Sequence, residues 1–207
     1  MLSSLRALMI LLLPAMLAAC DRQSPPKEQD GAITSGEAQP TSGEATASKG
    51  GTKADGFDYR IDRSKAGTQA PAIAFQDPDG KETTLRDFAG KPLLVNLWAT
   101  WCTPCVAEMP TLDRMAAAHA AQGLQVLTVS QDNQGLKAAR PFFTKHDLPH
   151  LKAWADPENG LGFHYATGLL PTTIVYDRQG KEIARVIGAM DWEGSEGKAL
   201  VAQALAS

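Results

Sequence analysis

The chain has 207 residues, of which 43% are hydrophobic and 21% charged, and its formal net charge is -3. That length suffices for one ordinary domain with appendages. A weakly acidic balance offers no basic stripe to a phosphate backbone, so nucleic acid is excluded as a partner.

Residues 1–19 carry Arg6 and then the apolar run "ALMILLLPAMLA". The run is too short to span a bilayer comfortably and reads as an export signal. It ends in "LAAC", with Leu17, Ala18 and Ala19 directly before Cys20. That order resembles the lipobox of bacterial lipoproteins, which implies that Cys20 becomes a diacylated N-terminus; two or three acyl chains suffice for stable anchoring. Asp21 resembles the inner-membrane retention signal of Gram-negative lipoproteins. The implied location is the periplasmic side of the cell inner membrane, with the lipid on Cys20 as anchor. Residues 20–56, rich in Ser, Thr, Gly, Pro, Glu and Lys, have too few large apolar side chains to offset ordering entropy and read as a tether. A flexible segment of that size has a reach of about 30–35 Å.

The folded domain is expected over residues 57–207. "IAFQDPDGKETTL" predicts a hairpin about Asp79-Gly80. "KPLLVNLWA" is a continuous apolar run and predicts a buried strand, followed by a helix from Pro104 to Ala121 that Pro110 should kink. "LQVLTVSQ" predicts a second buried strand, "GLKAARPFFTKHDL" a helix, "LKAWADP" a short strand and "ENGLGFHYA" a short helix. "PTTIVYD" and "KEIARVIG" flank a turn at Gly180 as an antiparallel hairpin, and "WEGSEGKALVAQALA" predicts a closing helix. Met109, Met115, Phe142 and Trp98 fall at core spacing. The order is α/β with a mixed central sheet flanked by helices. It resembles the thioredoxin-like fold, here with an N-terminal hairpin extension.

The chemistry lies in "LWATWCTPCVAEMP", where Cys102 and Cys105 form a C-x-x-C pair. Structural zinc would need further ligands at fixed spacing, and the four histidines are scattered. Covalent haem would need histidine after the second cysteine, where Val106 stands. A cross-link closing so short a loop constrains little. A redox pair remains, set between a buried strand and a helix whose unpaired N–H groups and dipole favour a thiolate. Cys102 is then the exposed nucleophile and Cys105, one turn further in, the buried thiol that resolves a mixed disulfide. Pro104 suits a first turn, where its missing N–H costs nothing. Trp101 is expected to give partners a flat apolar rim.

"VNLWATWCTPCVAEMPTLD", "GLLPTT" and "TTIVYDRQGKEIA" resemble the TlpA/ResA-type family of membrane-anchored thioredoxin-like proteins over roughly Pro71 to the C-terminus, with TlpA the nearer in "LVNLWATWC" and "IGAMDW". The resemblance implies a periplasm-facing thiol–disulfide reductase serving cytochrome c maturation or copper delivery to cytochrome oxidase. It implies disulfide-bearing clients such as apocytochrome c or copper-delivery proteins, and a membrane thiol transporter of the DsbD/CcdA kind as electron donor. No cofactor is expected beyond the Cys102–Cys105 disulfide, no metal site is assigned, and a monomer is expected. By position, Pro171 corresponds to the cis-proline that faces the disulfide, beside which Leu170 can pair with a client strand. Glu108 matches a glutamate of the ResA-like pattern, able to move protons near the buried thiol. Asn96 stands where ordinary thioredoxins carry an aspartate, which leaves Glu108 as the proton carrier.

Two alternatives stay open on the residues alone. A dithiol oxidase uses the same fold, and Thr103-Pro104 does not fix the direction of transfer. A Cu(I) chaperone could hold metal on the two thiolates, although no histidine is placed to assist. A thiol peroxidase would need an arginine beside Cys102, and none is near in sequence.

Overall fold

The computed structural model describes residues 56–207, so the export signal, Cys20 and nearly all of the tether lie outside the described residues. The first strand, β1 (Tyr59–Asp62), precedes a hairpin of β2 (Phe75–Gln76) and β3 (Glu82–Thr83). The buried strand β4 (Leu93–Trp98) follows, then α1 (Thr103–His119), β5 (Gln125–Ser130), α2 (Leu136–Lys145), β6 (Ala153–Ala155) and α3 (Gly160–Tyr165). The chain closes with β7 (Thr172–Tyr176), β8 (Glu182–Gly188) and α4 (Ser195–Ala206). The sheet order is β1-β8-β7-β4-β5-β6-β2-β3. β4, β5 and β6 run parallel and the other pairs are antiparallel, the mixed sheet of a thioredoxin-like fold.

Alternation along β4 builds both sides of the core. Leu94 and Trp98 face a cluster with Cys105, Met109, Leu112, Met115, Phe142, Phe143 and Leu200, which comes from α1, α2 and α4. Leu93, Val95 and Leu97 face the other way, with Phe75, Leu85, Leu161 and Tyr165. Trp98 is fully buried with its ring 4.7 Å from Phe142, as the core reading expects.

Several boundaries differ from expectation. The helix containing Pro110 runs from Thr103 to His119, with a short 3-10 turn at Ala120–Gln122 after it where the helix was expected to reach Ala121. The closing helix begins at Ser195, not Trp192, with Gly194 extended ahead of it. Trp192 is instead tied to α1, its backbone N–H donating to Thr111 Oγ1 at 3.2 Å. Tyr59–Asp62, which carry no strand signal of their own, pair along β8 at the edge opposite the hairpin. Gly188 admits that strand: at its φ of 99° a Cβ would lie 2.3 Å from the Asp58 carbonyl oxygen.

Candidate active site

β4 and β5 are parallel and β7 antiparallel to β4, with Leu97 opposite Thr172. The end of β4, the end of β5 and the start of β7 therefore meet at one edge of the sheet, where ligands of open α/β sheets bind. The Cys102 motif, Gln131-Asp132 and Leu170-Pro171 follow or precede those strands directly. Asp132 fixes the approach to the motif: it accepts the Thr100 N–H at 2.9 Å, the Thr100 hydroxyl at 2.7 Å and the Ser130 hydroxyl at 2.7 Å.

Cys102 is the N-cap of α1 and Pro104 lies in its first turn. The two cysteines form a disulfide with Cα atoms 5.3 Å apart. The Cys105 N–H donates to Cys102 Sγ at 3.3 Å. That donor and the helix dipole stabilise negative charge on Cys102 once the bond opens. Cys102 is not the freely exposed residue expected: in the disulfide form it is 5% exposed, against 0% for Cys105. Its sulfur is turned inward onto Cys105, and it reaches the surface only as part of a groove wall.

Glu108, one turn beyond Cys105, is fully buried. Its Oε1 accepts from Asn96 Nδ2 at 2.8 Å, and its Oε2 from the Met190 N–H at 3.0 Å and the Trp192 indole at 3.4 Å. Desolvation pushes its pKa from 4.5 up to about 8, with the donors from Met190, Asn96 and Trp192 pulling the other way. The result is a carboxyl that keeps its proton at neutral pH yet can release it. Asn96 Nδ2 also donates to Thr173 Oγ1 at 2.9 Å, while Asn96 Oδ1 has no partner. Turning this amide presents Oδ1 to Glu108 and Thr173, so the same side chain can accept from the protonated acid.

A groove of about 740 Å³ opens over Cys102, lined by Trp101, Pro104, Phe163, Leu169 and Leu170 among others. Trp101, Phe163 and Leu169 are the large exposed hydrophobic residues among the described ones, at 71%, 75% and 60%. All three line the groove that Cys102 also lines. The Leu170–Pro171 bond is cis, as the resemblance implies. Leu170's N–H and C=O have no hydrogen-bond partner among the described residues.

The structure thus brings Cys102, Cys105, Trp101, Pro104, Leu170 and Pro171 to one edge and buries Glu108 one turn beyond Cys105 on α1. Sequence reasoning missed Asn96 as a direct Glu108 partner, Asp132 as the anchor of Thr100, and Phe163 and Leu169 as groove walls. Leu169 and Phe163 each sit in short Gly-containing segments with no apolar period to bury them, which was the available signal. Among the described residues there is no group of three or more His, Cys, Asp or Glu placed to hold a metal. No described helix is long and apolar enough to cross a membrane.

The Redoxin family model matches residues 65–202. The thiol-disulfide oxidoreductase ResA of Bacillus cereus is 30% identical over 148 residues, covering 72% of this chain and 84% of its own. A thiol:disulfide interchange protein DsbE of Chlorobium tepidum superposes with a TM-score of 0.60 at 27% identity, over 68% of this chain and 97% of its own. The exposed lipoprotein thioredoxin Etrx1 of Streptococcus pneumoniae gives 0.51 at 28% identity, over 65% and 97%. With a helix-capping disulfide at the carboxyl edge of a mixed sheet, these likenesses identify the chain as a member of the Redoxin family, a ResA-like thiol–disulfide oxidoreductase.

Proposed function

We propose that the protein is a reductase of disulfides in exported client proteins, held by lipid on Cys20 at the periplasmic side of the inner membrane. The observation that carries the reading is the asymmetry of the pair: Cys102 opens on an apolar groove, while Cys105 is sealed ahead of a buried, proton-holding carboxyl.

In the reduced protein the Cys102 thiolate attacks one sulfur of a client disulfide, and the other client sulfur leaves as a thiolate. The Cys105 thiolate then attacks Cys102 Sγ, closing the 102–105 bond and releasing the second client sulfur. Two electrons pass from the pair to the client. Two protons, those of the Cys102 and Cys105 thiols, end on the client's sulfurs. Glu108, one turn from Cys105, accepts the Cys105 proton in its ionised form, the minority at neutral pH, as the thiolate forms, and passes it on. No cofactor enters these steps. A membrane dithiol transporter of the DsbD/CcdA kind reopens the disulfide by the same exchange in reverse. Clients in cytochrome c maturation or copper-site assembly follow from the resemblance to TlpA/ResA-type proteins. The "LAAC" order supports the anchor, as does the lipoprotein nature of Etrx1.

The test is a trap. Cys105→Ser leaves Cys102 able to attack but removes the resolving thiol, so mixed disulfides should accumulate on the membrane fraction and dissolve on adding dithiothreitol. A variant that collects no adduct, in a cell whose disulfide-dependent exported proteins mature normally without Cys102, sinks the reading.

A further inference from the structure

Beyond the disulfide groove lies a second hollow of about 360 Å³, lined by Gly56, Phe57, Asp58, Ala107, Pro171 and Ala189 among others. It shares Pro104, Leu169 and Leu170 with the first groove, so these three form the ridge between the two. One hollow is walled by α3 and the Cys102 turn, the other by the strap that leads into β1. The strap lies outside the Redoxin match, which begins at residue 65. The chain nevertheless holds it in place, since β1 pairs with β8 in register from Tyr59 opposite Gly188, and Gly188 leaves room for the Asp58 carbonyl.

The two hollows differ in chemistry. No charged residue lines the first, whereas Asp58 is the one charged residue lining the second, and its carboxylate has no ion pair or hydrogen bond among the described residues. An extended segment directs successive side chains to opposite sides. A client strand pairing with the free Leu170 backbone therefore has one side for each hollow. We propose that the strap makes this site selective for an extended client segment with a large apolar side chain on the same face as its cysteine and a Lys or Arg on the opposite face. The basic side chain would lay its aliphatic stem on Phe57 and Leu170 and its cation against Asp58. This rests on the reductase reading and names the client chemistry it favours.

The test uses the full-length protein, reduced, and short peptides whose single cysteine carries a thionitrobenzoate leaving group. Release of that group is read by absorbance as Cys102 attacks the peptide sulfur. A leucine stands two residues from the cysteine, on the cysteine's face, and Lys, Ser or Glu stands next to the cysteine, on the opposite face. KM should be about fivefold lower for Lys than for Glu, the upper range of an exposed ion pair, with kcat little changed. Asp58→Asn and 0.5 M salt, about a Debye length of 4 Å, should each erase that preference. Phe57→Ser should raise KM for the Lys and Ser peptides alike. Urea midpoints of the oxidised variants show that the fold persists. Equal KM values across the three peptides, or a preference that survives Asp58→Asn, overturn the inference while leaving the reductase reading standing. Failure of every peptide to release the group overturns the reductase reading itself.

Discussion

Glu108→Gln separates the cost of the buried carboxyl from its packing. The pKa of Glu108 stands at about 8 in the fold against a reference of 4.5, because burial strips water from the charged form. At about 1.4 kcal/mol per pH unit, that gap amounts to about 5 kcal/mol between the two protonation states. Below about pH 4.5 both folded and unfolded chains hold the proton, and the fold bears no charge penalty. Between 4.5 and 8 the unfolded chain has released it and the folded chain has not, so stability falls as pH rises, and the loss is complete above about 8. Glutamine cannot titrate. Its carbonyl keeps the Met190 and Trp192 donors, and its amide finds an acceptor if Asn96 turns its unpartnered Oδ1 inward. Urea unfolding at pH 5 and pH 9 is the assay, with the protein oxidised so that neither cysteine titrates. The wild type should lose up to about 4 kcal/mol more than Glu108→Gln over that span, because part of the loss has already occurred by pH 5. A difference between the two proteins that stays constant to within about 1 kcal/mol would refute the assignment of a raised pKa to Glu108.

Two further outcomes follow from packing. At Gly197 a Cβ would lie 2.7 Å from both the Cα and the carbonyl oxygen of Trp192, backbone that cannot swing aside, so Gly197→Ala should push α4 off the Trp192 turn and cost about 1–3 kcal/mol, read by unfolding. Arg185 forms a bidentate pair with Glu182 at 2.6 and 3.0 Å, both side chains largely buried. Arg185→Met should cost about 3–5 kcal/mol by stranding the carboxylate, and adding Glu182→Gln should recover most of it; calorimetry of single and double variants decides.

The fold was legible where apolar runs are long and bounded. "LLVNLW" read as a buried strand and "TTIVY" as one arm of a hairpin, and every residue in both is buried, on both faces of the sheet. The redox pair was legible because its spacing excludes most other uses of cysteine. β1 was not, because its burial is partial and its place depends on Gly188, far away in sequence. Trp192 was misread as helical because the local run favours a helix, whereas hydrogen bonds to Thr111 and Glu108 set its position. The groove eluded the sequence for a related reason. Phe163 and Leu169 gain their meaning from a disulfide some sixty residues earlier, and only the sheet brings them to it.

Asn96 explains why a single costly acid can persist here. An aspartate at that position would set a second carboxyl at hydrogen-bond distance from Glu108 Oε1, where Asn96 Nδ2 now stands at 2.8 Å. Two carboxyls that close in a buried site cannot both ionise, and their titrations merge into properties of the pair. The amide breaks that coupling. It leaves one proton carrier with one pKa, and its two ends can serve either protonation state of Glu108. Asn96 and the Met190–Trp192 turn thus hold Glu108, one turn along α1 from Cys105, while the groove lies over Cys102. The division lets client recognition vary through residues such as Phe163 and Asp58 without disturbing the proton step, because none of the groove or strap side chains hydrogen-bonds to Glu108.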